Sequence, residues 1–427
     1  VPGWGACIGA GADRRIGHEL LLLGAAFLVA GLLARLGRRI GLPTIPLFVA
    51  AGILVGPHTA GPVLFDHPGD LTLLADLGLV FLLFSLGVEL SFGQLTAGGS
   101  RLLGSAAVYL ACNIGGGLAL GFAIGWGTKE ALVIAGATGI SSSAIVTKIL
   151  VDTRRLDSPE TPLILGSIVI EDVFLALYMA ALAPVLGGAD SAGSTAMQIA
   201  RAFGFLLALA LVARFGAPLI GRVIIDRTDE LLIVLFVGFA LLVAGLAEEL
   251  GVSDAIGAFM AGLVLSATVA AARIRHLVVP LRDAFGAVLF FAFGLLIDPA
   301  AISSVLGPAA AAVAVSLALA SLAALLVARI NHLDRRELVR VATTLVSRGE
   351  FSLILVALAV GAGLDPRLSP LIAIYVLVLA VLSPVLAEHS DRLFERSSST
   401  TPSTDGEGDD YETESARPAD RSASGSS

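Results

Sequence analysis

Two adjacent acids, Glu171 and Asp172, stand about ten residues into an apolar run that begins at Pro162 and carries no other charge before Gly187. An ionisable group at mid-membrane costs about 2.5 kcal/mol or more, so one that persists is a functional candidate by default. A carboxylate there can hold a partly dehydrated monovalent cation or a proton. One site for two competing ions is the smallest chemistry an exchanger requires. Glu171 and Asp172 are therefore the candidate ion and proton ligands. The plainer alternative is a pair of acids that locks helices against buried basic partners.

Two further runs carry polar clusters at their centres. One reads Gly136-Ala-Thr138-Gly-Ile-Ser141-Ser142-Ser143, the other Thr343-Thr344-Leu-Val-Ser347-Arg348-Gly349-Glu350. Hydroxyls beside glycine weaken a helix and offer oxygen ligands, which suits a discontinuous span whose broken ends face a cavity. Thr138, Ser141, Ser142, Ser143 and Ser347 are the candidate lining groups. Arg348, Glu350 and Lys148 are the candidate charge partners, Arg348 being expected to pair with Glu350 or with a carboxylate of the 171–172 pair. Asp76 and Asp283 read as N-terminal caps, and Glu89 and Asp254 as acids that meet water at span ends.

What positions these groups is a set of helices in lipid. Apolar residues make up 56% of the 427 positions and charged ones 15%, against roughly a quarter charged in soluble chains. The apolar blocks are long enough to cross a core of about 30 Å as helix, and they lack the short alternating segments of a membrane β-barrel. The pattern predicts an all-α polytopic membrane protein of about 13 transmembrane helices, at 17–36, 43–58, 71–91, 101–126, 130–150, 162–186, 196–221, 229–250, 253–271, 277–297, 303–328, 336–362 and 368–388. Numbered in this order, the acid pair falls in span 6 and the hydroxyl clusters in spans 5 and 12.

Basic residues follow the count. Loops after odd-numbered spans, with adjoining helix ends, carry Arg35, Arg38 and Arg39, Arg101, Lys148, Arg154 and Arg155, Arg214, Arg222 and Arg227, Arg273, Arg275 and Arg282, and Arg329, Arg335, Arg336 and Arg340, whereas the others hold Lys129, Arg201 and Arg367. Positive charge marks the cytoplasmic side, which places the N-terminus outside and the C-terminus inside a bacterial-type cytoplasmic membrane. Internal similarity points the same way. Placing Gly41 on Gly251 aligns Ala51-Gly52-Ile53-Leu54 with Ala261-Gly262-Leu263-Val264, and placing Asp76 on Asp283 aligns Leu82, Phe84 and Gly87 with Leu289, Phe291 and Gly294. Span 2 then matches span 9, and span 3 matches span 10. The expected architecture is two inverted six-helix repeats around a linking seventh span, with the discontinuous spans 5 and 12 as counterparts.

Residues 1–16 form a short N-terminal segment without the order of a cleavable signal, 17–390 the transport domain, and 391–427 an acidic, Ser-rich stretch read as a disordered cytoplasmic tail that supplies most of the net charge of −8. Cys7 and Cys112 make neither a disulfide framework nor a metal cluster, and no zinc-protease or nucleophile-elbow motif occurs, so an enzyme is not expected. Nor is a cofactor or a nucleic-acid partner. A gated potassium efflux channel would use the same cavity but needs a continuous lined pathway.

The combination resembles the monovalent cation:proton antiporter-2 family, which includes Kef-type potassium:proton antiporters and related sodium:proton exchangers. The resemblance is carried by Gly41-Leu-Pro-Thr-Ile-Pro46 with Gly52-Ile-Leu-Val-Gly-Pro57, Leu83-Phe-Ser-Leu-Gly-Val-Glu89, the stretch Thr138 to Lys148, Glu171-Asp172, Phe290-Phe-Ala-Phe-Gly294 and Ser347-Arg-Gly-Glu350-Phe. It implies exchange of K⁺ or Na⁺ for H⁺, a homodimer built from a dimerisation scaffold and a core bundle, spans 5 and 12 crossing at unwound centres, and elevator-like alternating access. It also implies that Asp172 is the principal ion and proton carboxylate, with Glu171 its neighbour. Kef-type members often append a nucleotide-binding regulatory domain; the acidic tail stands in its place here, so a separate cytoplasmic regulatory subunit is the expected form of any such control.

Overall fold

The computed structural model describes residues 10–39, 44–59, 68–89, 99–187, 192–224 and 228–398. Residues 1–9, residues 40–43 with Gly41 and Pro43, and the acidic tail beyond Ser398 lie outside the described residues. In chain order the helices are α1 (Ala10–Arg39), α2 (Thr44–Val55), α3 (Thr72–Glu89), α4 (Gly99–Ile124), α5 (Thr128–Gly139), α6 (Ser143–Asp152), α7 (Thr161–Leu186), α8 (Ala192–Leu211), α9 (Ala217–Ile224), α10 (Asp229–Glu249), α11 (Asp254–Ser266), α12 (Ala271–Leu295), α13 (Pro299–Asn331), α14 (Arg335–Leu345), α15 (Glu350–Gly361) and α16 (Leu368–Ser398). Ten spans are long and apolar enough to cross a membrane, and three shorter apolar helices lie at Leu23–Gly37, Thr44–Val55 and Asp254–Ser266. Large apolar side chains such as Leu28, Leu32, Phe215, Leu219 and Leu242 face outward, as lipid contact requires.

The expected breaks in spans 5 and 12 are present: α5 is separated from α6, and α14 from α15. These two spans are also the most deeply buried. Three expectations need correction. Span 7 is interrupted by a π-helical turn at Val212–Gly216. Span 10 starts at Ala271 and not near 277, so Arg282 and Asp283 fall in the middle of α12, and Asp283, bonded to Arg282 at 3.0 Å, caps no helix. Asp76 sits in the second turn of α3, past the cap position. Asp254 opens α11 and accepts the Ala255 amide at 2.7 Å, a local role at the helix start.

Packing falls into two groups. Helices α2, α3, α10, α11 and α12 pack together, and α4 to α7 pack with α13 to α16. Within the first group, helices meet where glycines remove side chains. A Cβ on Gly52 would lie 2.1 Å from the Phe291 carbonyl oxygen, and one on Gly294 2.2 Å from that of Val49. A Cβ on Gly262 would lie 2.1 Å from the Phe84 carbonyl oxygen, and one on Gly87 2.0 Å from that of Phe259. The contact Gly52–Phe291 thus recurs as Gly262–Phe84 between residues that the sequence alignment makes equivalent, which is the exchange a two-fold relation produces. Because each obstacle is backbone, Gly262→Leu is expected to cost at least the 1–3 kcal/mol typical of overpacking, about the scale of its steric conflict. Thermal loss of monodispersity in detergent measures it, with Gly238→Ala, which meets nothing within 4 Å, as the tolerated control.

Candidate functional site

The two broken spans cross at their breaks. Ile140 and Ser142 are extended, and the Ser142 amide donates to the Ser347 carbonyl at 3.2 Å, tying one unwound segment to the other. Gly349 permits the approach, since a Cβ there would lie 2.4 Å from Ser142 Oγ. Ser141 Oγ donates to the Leu345 carbonyl at 2.8 Å and Ser352 Oγ to that of Ala137 at 2.8 Å. Each half-helix therefore supplies groups that complete the other.

A crossing of this kind buries two helix C-termini with partial negative charge and two N-termini with partial positive charge. Arg348, fully buried, answers the first pair. Its guanidinium donates to the Leu345 and Ser347 carbonyls at 2.9 and 3.0 Å and to the Thr138 carbonyl at 2.7 Å, so it covers the ends of both α14 and α5. It also donates to Asn113 Oδ1 at 3.1 Å. Among the described residues Arg348 makes no hydrogen bond or ion pair with Glu350 or a span-6 carboxylate, since its two Nη groups are taken by these carbonyls and Asn113 while Nε has no partner; it still lies within electrostatic range of Glu171. Glu171 answers one N-terminus, its Oε2 accepting the Ser141 amide at 2.7 Å ahead of α6. Glu350 is the first residue of α15 and takes the Ser142 hydroxyl on Oε2 at 3.3 Å.

Asp172 is left over. It is 4% exposed, its Oδ1 has no partner, and among the described residues it makes no hydrogen bond or ion pair. Buried unpaired carboxyl groups are costly and rare. This one follows Glu171 on α7 and lies within electrostatic range of Glu171 and Glu350.

The hydroxyls predicted as lining divide. Thr138 Oγ1 is turned to the Ile134, Ala135 and Asn113 carbonyls at 3.0 to 3.2 Å. Ser142 caps α6 through the Ile145 amide. Ser143 opens α6 and its side chain makes no hydrogen bond among the described residues. Ser347 Oγ is buried and unpartnered. Lys148 lines a cavity that reaches Glu350. Glu89, expected to meet water, ends α3 with its side chain 41% exposed, and it also accepts Ser85 Oγ at 3.3 Å and pairs with Arg282 at 3.4 Å.

Sequence reasoning missed the support from α4 and from the loop before α7. Tyr109 donates to the Leu345 carbonyl at 2.5 Å, and Asn113 meets Arg348. A lone Asn within a span was a signal that went unused. Arg155, assigned to a loop, is buried with its Nη2 on the Ala387 carbonyl at 2.7 Å, and Glu160 is fully buried against Arg340 at 3.1 Å. Short-range sequence gives no hint of either partner.

The profile of the family described as sodium/hydrogen exchanger, transmembrane, matches residues 24–388. The chain is 37% identical over 383 residues to the K(+)/H(+) antiporter subunit KhtU of Bacillus subtilis (strain 168), covering 88% of this chain and 95% of that one. It is 27% identical to the ammonium/H(+) antiporter subunit AmhT of Alkalihalophilus pseudofirmus, over 81% of this chain and 87% of that one. Among solved structures, the sodium proton antiporter MjNhaP1 from Methanocaldococcus jannaschii at pH 8 superposes with a TM-score of 0.67 at 17% identity, covering 88% and 98% of the two chains. That likeness shows a shared fold.

Proposed function

Because this chain belongs to the transmembrane sodium/hydrogen exchanger family, we propose that it exchanges a monovalent cation, K⁺ or Na⁺, for H⁺ at Asp172 by alternating access across a bacterial-type cytoplasmic membrane. The observation that carries the site is the charge arithmetic of the crossing: Arg348, Glu171 and Glu350 each bond at helix ends, and of the acids there only Asp172 makes no hydrogen bond or ion pair among the described residues. Its carboxylate is free to take a proton from one side and a cation from the other. Binding one displaces the other, so neither ion crosses without exchange. Ser347 Oγ and the unwound carbonyls supply neutral oxygen for the cation, and Glu171 holds the α6 end in place.

The reciprocal contacts Gly52–Phe291 and Gly262–Phe84 support two inverted repeats, and the division into two packed groups supports a homodimer in which α2, α3 and α10 to α12 form the scaffold and the crossing moves with the other group. The cytoplasmic face is the basic one, with the N-terminus outside. The acidic tail forms a cytoplasmic extension, and a separate regulatory subunit is the partner this face would receive, as the word subunit in the relative's name suggests.

Reconstituted in liposomes carrying a pH gradient, the protein should dissipate that gradient when KCl, NaCl or LiCl is added, with one salt effective at a lower concentration than the others. If no cation does so, exchange itself is wrong. A gated channel is distinguished by its current: it would let K⁺ collapse a membrane potential without moving protons.

A further inference from the structure

The crossing borders a cavity of about 340 Å³ lined by Ser142, Lys148, Arg348, Gly349 and Glu350 from one packed group and by Thr44, Ile45 and Pro46 from the other. That volume holds on the order of ten waters, enough for a cation that has kept part of its shell. The cavity lies where α2 begins and α6 runs toward its C-terminal end, so it opens on the basic face. Glu350 is the carboxylate on its wall. It is half-buried and shares Ser142 Oγ at 3.3 Å, which leaves oxygen capacity for a further ligand. Arg348 is on the wall as well, fully buried, with both of its Nη groups bonded to the Leu345, Ser347 and Thr138 carbonyls and Asn113.

Lys148 differs. It is exposed and, among the described residues, has no hydrogen-bonded or ion-pair partner. It lies six residues beyond Ser142 on α6, about 9 Å along the axis, within reach of the space in front of Glu350 for a side chain of its length. A fixed ammonium in a cavity whose wall carboxylate is otherwise open to a monovalent cation competes with that cation and lowers its local concentration.

We propose that Glu350 and Ser142 form a waiting site for a monovalent cation on the basic face, separate from Asp172, and that Lys148 acts there as a tethered competitor setting how much cation is needed to load from that side. This rests on the exchanger reading. The waiting site is half of a transport path that Thr44 and Pro46 of the opposite group complete, so it exists in the conformation described here and is remodelled when the two groups shift.

The test is sidedness. Everted and right-side-out vesicles from cells expressing the full chain are titrated with KCl and with NaCl, reading cation-driven proton movement. Lys148→Gln is expected to lower the half-saturating cation concentration about fivefold in everted vesicles, which present the basic face, and to leave it unchanged in right-side-out ones. Lys148→Arg should stay near wild type, and Glu350→Gln should raise the value on the everted side only. Lys148→Gln without effect, or with equal effect on both faces, would overturn the waiting site while wild-type exchange stands. Absence of exchange in the wild type would overturn the exchanger reading and this proposal with it.

Discussion

Asp172→Asn is expected to abolish cation-driven proton movement, by more than about a hundredfold, while leaving thermal stability unchanged or raised. The two halves of that result have one cause. Asn has nearly the shape of Asp but neither releases a proton nor carries the charge a cation needs, so neither half-cycle can run. Asp172 also makes no hydrogen bond or ion pair among the described residues and is 4% exposed. Removing an unpartnered buried carboxyl removes a desolvation cost and no stabilising contact. A pH-gradient assay in proteoliposomes with a melting curve in detergent reads both. Retention of exchange would show that the shared site lies elsewhere. Lost exchange with a collapsed melting curve would assign Asp172 to the scaffold of the crossing.

Arg348→Gln should lose both properties. Four acceptors take hydrogen bonds from this guanidinium, the Leu345, Ser347 and Thr138 carbonyls and Asn113 Oδ1; Leu345 and Ser347 have further donors, but Arg348 brings the only positive charge bonded to these ends among the described residues. Removing it strands two buried helix C-termini without their compensating charge, at a cost of about 3–5 kcal/mol by analogy with breaking a buried charge pair. Arg348→Lys keeps the charge but cannot fan donors to several carbonyls at once; it is expected to recover part of the stability and little of the activity. The measurement is the same pair of curves. An Arg348→Gln protein that melts like wild type would refute the compensation argument, since the carbonyls would have found other partners. The contrast between Asp172 and Arg348 separates a residue that performs exchange from one that builds the place for it.

Much of this was readable along the chain. Glycines and hydroxyls at Thr138–Ser143 and Thr343–Gly349 weaken helices locally, and a local weakness is visible locally. The matched pairs Gly52 with Gly262 and Phe84 with Phe291 were visible as an internal repeat, and the structure adds that they touch crosswise. The start of α12 was misjudged because Arg273, Arg275 and Arg282 look like a loop. The helix runs through them, and Arg282 is steadied by Glu89 from α3. The buried Arg155 and the Glu160–Arg340 pair were out of reach for the same reason, since their partners lie far away in the chain.

By itself the sequence determined that this is a multi-span helical membrane protein, that spans 5 and 12 break near their centres, and that Glu171, Asp172 and Glu350 are acids inside an apolar environment. It could not say which acid is free. That depends on how four half-helix ends are brought together, because each end attracts the nearest opposite charge, and the assignment exists only once the breaks cross. The tertiary structure gives Arg348 to two carbonyl ends, Glu171 to one amide end and Glu350 to the other, and so leaves Asp172 without a partner among the described residues.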